Sequence, residues 1–438
     1  MYDTLKIKGG KKLSGEIVIQ GAKNEALQTI CAALLTDEEV TIERVPKILD
    51  VTNLFETLEC FGVVVTDSGN GAYKINSKNI DLEKLKTKEC RGMVSKTRGA
   101  LMITGALLGR FGIACMSRPG GDKIGIRSVD VHLQGFESLG AKINDNNPEY
   151  REITLSELSS TDFYLFEISV TGTANIILAS VLSKGGEAKI VIRNAASEPY
   201  VVGLCNMLNS MGAKIEGVGT NTLVITSVSK LSGITHKLAP DFVEAGSFIG
   251  LAALTGSALT LKGVTLKDLG FMIPYTFKIL GINIEEKSNA IFIPEHKGYK
   301  IEKLRDGHIR EIYDSPWPGL TPDLLSIFLV VGTQAEGVLK IHQKMYEKRL
   351  LFVDTLQNMG AQIEICDPHR AIVIGLNREY KLKGIRMTSP DIRAGMALLI
   401  AALAAEGESV IENADQINRG YENIFERLKA LGTDIEYS

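Results

Sequence analysis

The sequence of 438 residues is short of several things, and each shortage excludes a class of protein. Its longest apolar run, MALLIAALAA at 396–405, is about half of the ~20 residues that a bilayer-spanning helix needs. The polar start, MYDTLKIKGGKKLSG, contains no apolar segment of the signal-peptide kind, so a cytoplasmic protein without a membrane partner is expected. No block of like charge occurs: 49 basic and 52 acidic residues leave a net charge of −3. That balance gives neither a nucleic-acid footprint nor a polybasic anchor. The six histidines form no HExxH or other metal-ligand spacing, so no metal is expected. The six cysteines, at 31, 60, 90, 115, 205 and 366, include no CxxC and are expected to be buried thiols in a reducing compartment. Cys115 lies within the apolar FGIACM run and reads as a core thiol rather than a nucleophile.

What is present is a large globular chain with an internal repeat. Apolar residues make up 45% and charged residues 23%, as in soluble proteins, and the length exceeds one ordinary core. One phrase recurs six times: a large apolar residue, glycine, two residues, then Ile or Val. It reads FGVVV, LGAKI, MGAKI, LGINI, MGAQI and LGTDI, with glycines at 62, 140, 212, 281, 360 and 432. Each follows a helical pattern, so the glycine is expected to close a helix with positive φ and the β-branched residues to begin a strand. Before each lies a helix rich in small apolar residues, then a turn and a strand, as in ICAALLTDEEVTI and LLIAALAAEGESVI. Such helices are expected to be buried. Six units predict two domains of three, cut near THKLAPDFVEAG: residues 24–238, and residues 1–23 plus 239–438. A cleft between two similar domains is a favoured ligand site.

Charged residues collect where these units turn. QGAKNEAL sets Lys23 and Asn24 at a helix start, where a cation is either an anion contact or a solvated lysine beside a cap. Arg98 opens the helical stretch 95–111, a position disfavoured for a cation unless an anion binds. SRPGGDKIGIR, 117–127, places Asp122 among Arg118, Lys123 and Arg127 on a Gly-Gly segment that reads as a closing lid or as a surface loop. DSPWPGLTPDLLS holds Asp323 rigidly beside prolines, for chemistry or as an N-cap. Asp391 and Arg393 in SPDIRAG, and Arg419 in NRGYENI, are expected at two further helix starts. A small polyanion would explain cations so distributed in a near-neutral chain.

In this order and spacing the motifs LSGEIVIQGAKNEAL, SRPGGDKIGIRSVDVH, GLTPDLLS, SPDIRAG and NRGYENI resemble, essentially end to end, the UDP-N-acetylglucosamine enolpyruvyl transferases. The resemblance implies an α/β (α+β) fold, a two-domain inside-out barrel of six βαβαββ units. It implies transfer of the enolpyruvyl group of phosphoenolpyruvate to the sugar 3′-hydroxyl, without cofactor or metal. The implied partners are phosphoenolpyruvate and UDP-N-acetylglucosamine alone, in a monomer or weak oligomer. By the same resemblance Asp122 is the lid acid and Asp323 the acceptor of the hydroxyl proton. Lys23, Arg127 and Arg419 contact phosphoenolpyruvate, with Arg98 as a further contact. Asn24 matches a sugar position, Ser128, Val129, Asp130 and Val131 with Ser169 and Val170 match the uridine region, and Tyr346 is a further substrate contact. Asp50, Asp391 and Arg393 support the site.

Three departures stand out. Asp122 takes the place of the usual lid cysteine, Glu167 that of a frequent lysine, and LTPD replaces FPTD. The first implies insensitivity to fosfomycin, which alkylates the cysteine thiolate of typical members. Two rivals remain: 5-enolpyruvylshikimate-3-phosphate synthase, with the same fold and donor, and a non-catalytic relative that binds a nucleotide sugar. The RPGGDKIGIR loop and NRGYENI oppose the first rival, and joint retention of Asp122, Asp323 and the five cations opposes the second.

Overall fold

The repeated glycines do what their positions demand: Gly62, Gly140, Gly212, Gly281, Gly360 and Gly432 all have positive φ, between 80° and 106°. Each ends a helical turn that an L-residue would strain, and after each the chain turns outward into a strand. The computed structural model describes residues 4–117, 125 and 127–437. The described residues form two compact units, one holding the chain up to Gln20, Gly125 and the chain from Pro240, the other the rest of the chain between Gly21 and Ala239. Of the lid motif, residues 118–124 and 126, and with them Arg118, Asp122 and Lys123, lie outside the described residues.

Both units are built from small mixed sheets around buried helices. In the 21–239 unit, strand Val40–Glu43 pairs antiparallel with Ala72–Asn76 and parallel with Thr235–Lys237. The hairpin strand Val64–Gly69 completes that sheet. The same plan recurs around Lys189–Arg193, flanked by Thr161–Tyr164 in parallel and Thr222–Thr226 antiparallel. A three-stranded sheet joins Ile113–Ser117, Tyr150–Thr154 and Lys142–Asn144. In the other unit the chain's first strand, Thr4–Lys8, inserts antiparallel between Glu408–Glu412 and Asp434–Tyr437, while Ser14–Val18 pairs parallel with Ala258–Lys262.

The small-residue helices are interior, as their composition predicts. Phe242–Thr255, Leu325–Gly332 and Ile392–Ala404 pack on one another and are buried almost throughout. A Cβ at Gly250 would come within 2.3 Å of the Ile327 side chain, so the glycine sets the approach of the first two helices. In the 21–239 unit, Met102–Phe111 meets Val170–Ser180 the same way, and a Cβ at Gly105 would sit 2.1 Å from the Asn175 carbonyl. Burial of such faces, at ~25 cal/mol per Å² of apolar surface, is what holds each unit together.

The cysteines depart from the expectation of thiols throughout. Cys60 and Cys90 form a disulfide, because helices Leu49–Cys60 and Lys88–Val94 pack together and bring the two Cα atoms to 6.0 Å. Thirty residues of separation hide that proximity in the sequence. Cys366 is exposed, whereas Cys31 and Cys205 are buried thiols. Cys115 is partly buried, and burial pushes its thiol up to about 11, an inert value.

Candidate active site

In the 21–239 unit, the helix Lys23–Ala32 begins on Lys23 without a side-chain cap. The Lys23 ammonium lies 2.7 Å from Asp50 Oδ2, in the first turn of the helix Leu49–Cys60, and both side chains are buried. A buried lysine of this kind is stabilised by its carboxylate and kept in one place. Asn24, next along, is partly exposed.

Arg98 starts the short 3₁₀ helix Arg98–Leu101. Its guanidinium donates to the carbonyls of Arg127 (3.1 Å) and Ser128 (3.0 Å), so it clamps the backbone just before residue 130. Ser128 Oγ in turn accepts from Asp130 N–H at 2.9 Å, opening the helix Asp130–Ser138. Ser169 caps the neighbouring helix Val170–Ser180 by accepting from Gly172 N–H. A Cβ on Gly172 would meet Val131 at 2.6 Å, so the two helix starts lie side by side. Two helix N-termini so placed favour an anion through their dipoles. The segment Ser128, Val129, Asp130 and Val131 and the pair Ser169 and Val170 are thus brought together, while Glu167 is exposed beside them.

Below these starts lies a buried polar chain. Asn175 Oδ1 accepts from Gly105 N–H, and Asn175 Nδ2 donates to the Leu101 carbonyl and to His132 Nδ1 at 2.9 Å. His132 Nε2 is therefore the protonated nitrogen and faces Thr171 Oγ1 at 3.4 Å. Burial, with Arg98 nearby, pushes its pKa down to about 3.

In the other unit, Asp323 is the centre of a cluster. Thr321, not Asp323, caps the turn Pro322–Leu324, so the N-cap alternative for the aspartate does not hold. The freed carboxylate accepts from Arg349 Nη2 at 2.6 Å on Oδ1 and from Arg393 Nε at 3.1 Å on Oδ2, with Arg393 Nη2 also 3.0 Å from Oδ2 in the ion pair. Asp391 caps the helix Ile392–Ala404 through the N–H groups of Arg393 and Ala394, and lies 3.8 Å from Arg349 Nη1. Burial works against the charge of Arg393, but Asp323, Tyr421 and Asp241 outweigh it and keep the guanidinium protonated. Arg393 lies over the Tyr421 ring at 5.5 Å, and Arg349 over Tyr346 at 5.6 Å.

Arg419 does not stand at a helix start. It follows the short helix Asp415–Asn418, with the next helix beginning only at Ile424, and donates to Gln416 Oε1 at 3.0 Å. Arg349 has no counterpart in the sequence reading. It sits in YEKRLL, an ordinary charged stretch, and its role is visible only from its two carboxylate partners. Among the described residues, no three His, Cys, Asp or Glu side chains converge as a metal ion needs, and no helix is long and apolar enough to cross a membrane.

Comparison with known proteins gives the family. Residues 7–428 match the family described as EPSP synthase (3-phosphoshikimate 1-carboxyvinyltransferase). The chain is 53% identical over 430 residues to the UDP-N-acetylglucosamine 1-carboxyvinyltransferase of Bacteroides fragilis, covering 98% of each, and 52% identical to that of Porphyromonas gingivalis with the same coverage. The Bradyrhizobium diazoefficiens protein of that name is 43% identical over 98% of this chain and 97% of its own. Among solved structures, the enolpyruvyl transferase NikO from Streptomyces tendae superposes with a TM-score of 0.85 at 21% identity, over 100% of this chain and 99% of its own. EPSP synthase from Acinetobacter baumannii gives 0.73 at 18% identity, over 99% of each. The fold is thus the enolpyruvyl transferase fold that the resemblance implied. The chain belongs to the carboxyvinyltransferase family and is an enolpyruvyl transferase.

Proposed function

We propose that the acceptor is UDP-N-acetylglucosamine: the enzyme moves the enolpyruvyl group of phosphoenolpyruvate to the sugar 3′-hydroxyl and releases phosphate, the first committed step of peptidoglycan synthesis. The observation carrying this reading is the full-length identity of 43–53% to curated proteins of that name. In the addition, the acceptor oxygen bonds to C2 of phosphoenolpyruvate, its proton passes to Asp323, and a proton from Asp122 adds to the methylene C3. In the elimination, C3 loses a proton, the C2–C3 double bond re-forms, and the C2–O bond to phosphate breaks with its electron pair on the phosphate.

Lys23, Arg98, Arg127 and Arg419 supply the positive charge for the donor's phosphate and carboxylate, which electrostatic preorganisation rewards more than any other single device. Asn24 and Tyr346 contact the acceptor, and the paired helix starts at Asp130 and Val170 receive the nucleotide. Arg349 and Arg393 fix the direction of each Asp323 oxygen, and Asp391 and Asp50 hold the cations in turn. Asp122 must carry a proton to serve, which enclosure beside the substrate phosphates favours. With a carboxylate where typical members carry a thiolate, the enzyme is insensitive to fosfomycin. No cofactor is called for, and the protein works in the cytoplasm.

The test is phosphate release from phosphoenolpyruvate with each of two acceptors. Release with UDP-N-acetylglucosamine and none with shikimate 3-phosphate is expected. The opposite pattern would reverse the assignment, and tight binding of the nucleotide sugar without turnover would make the protein a binding relative.

A further inference from the structure

Gln20 is only 7% exposed, although it is a long polar side chain in a loop. Its amide reads two backbone groups of one short segment at once. Nε2 donates to the Gly420 carbonyl at 3.0 Å, and Oε1 accepts from Glu422 N–H at 2.8 Å. The pair resembles a rung of a sheet made by a side chain, and it brackets the residues immediately after Arg419. The backbone of Gln20 is itself anchored, its N–H donating to Glu244 Oε2 at 2.7 Å.

Glu244 is fully buried in the helix Phe242–Thr255. Burial raises its carboxyl pKa, opposed by Arg427 and by the Gln20 N–H. Its other oxygen accepts from Arg427 Nη1 at 2.5 Å, and the same nitrogen donates to the Glu422 carbonyl at 3.2 Å. Arg427 Nη2 donates to the Val18 carbonyl at 2.7 Å. Between the two bracketed groups, Tyr421 turns inward and its hydroxyl meets Ser247 Oγ at 2.8 Å. Gly420, Tyr421 and Glu422 are thus each pinned, from the chain before Gly21, from the helix Phe242–Thr255, and from Arg427.

An arginine that contacts a substrate has four side-chain torsions, so its reach is set by where its Cα is held. A segment with no regular structure gives poor control of that point unless other elements fix it. We infer that Gln20 is a positioning residue for Arg419: its side-chain amide, carried on a backbone anchored to Glu244, fixes the Gly420–Glu422 backbone so that the Arg419 guanidinium meets the donor. This rests on the reading of Arg419 as a phosphoenolpyruvate contact.

The test is Gln20→Met, which keeps the volume and removes both hydrogen bonds. Two lost bonds of ordinary strength predict a rise of about tenfold in KM for phosphoenolpyruvate, with KM for the acceptor within about twofold. In an Arg419→Ala background the same change should add less than about twofold, because the two act as one unit. Hydrogen exchange of the 420–424 amides should quicken in the Gln20→Met protein while the remaining core is unchanged. Unaltered exchange and donor KM in a folded variant, or equal rises for both substrates, would overturn the inference. Wild-type protein that releases no phosphate with the nucleotide sugar would instead sink the reaction assigned above, and the exchange measurement would still decide the clamp.

Discussion

Arg349 Nη2 donates to Asp323 Oδ1 at 2.6 Å across 26 residues of chain, and both groups are largely withdrawn from water. Arg393 takes the other oxygen, so each carboxylate lone-pair direction is governed by a different planar guanidinium. Charge-assisted contacts of this kind are the strong ones, and their geometry orients as well as stabilises. Asp391 completes the set by holding Arg349 on its far side and the Arg393 backbone on its near side.

Arg349→Lys should therefore keep a positive charge and lose the orientation. A compact ammonium cannot face Asp323 and Asp391 together, so kcat should fall about 10- to 100-fold. Removing the partner altogether, Arg349→Ala, leaves a partly buried carboxylate with one arginine and should also cost about 3 kcal/mol of stability. Steady-state kinetics and urea unfolding check the pair, and an Arg349→Lys enzyme with wild-type kcat would show that orientation is not what the contact provides.

Asp122→Cys should retain transfer and become open to time-dependent covalent inactivation by fosfomycin, whereas Asp122→Asn should lose proton delivery. Inactivation of the wild type by the epoxide, followed by mass spectrometry of the adduct, would refute the role given to this carboxyl.

Stability should depend on pH through His132. Its folded pKa, about 3, lies below the ordinary 6.5, so the unfolded chain binds the extra proton between those values. The contribution is whole above pH 6.5 and is lost as pH falls, at about 1.4 kcal/mol per unit below that point. His132→Asn should flatten this part of the curve relative to wild type. Identical pH slopes for the two proteins in denaturant titrations would contradict the assignment.

The Cys60–Cys90 bridge closes a loop of 30 residues, for which chain entropy predicts about 3–4 kcal/mol of stabilisation. Reductant or Cys60→Ser should lower the Tm of the purified protein, and alkylation should reach these cysteines only after reduction. Their full labelling in untreated protein would rule the bridge out.

What could be read in advance was local. A positive-φ glycine, a proline-bearing turn or a stripe of small residues is a demand made by neighbours within a few positions, which is why six glycines and the buried helices declared themselves. Asp391 as the start of a helix was of this kind, since its carboxylate serves the next two N–H groups. Arg419 misled because its charge suggested a helix start, whereas it follows the end of the short helix Asp415–Asn418.

Partnerships at a distance were another matter. Nothing in YEKRLL marks Arg349, nothing in IQGAKN shows that Gln20 grips a segment four hundred residues away, and nothing links Cys60 to Cys90. The chain alone settles where its backbone must bend and which faces must leave water, because those follow from sterics and solvation at short range. Which carboxylate meets which arginine is settled only when the buried helices pack, since a charge drawn out of water takes whatever partner that packing sets within about 3 Å.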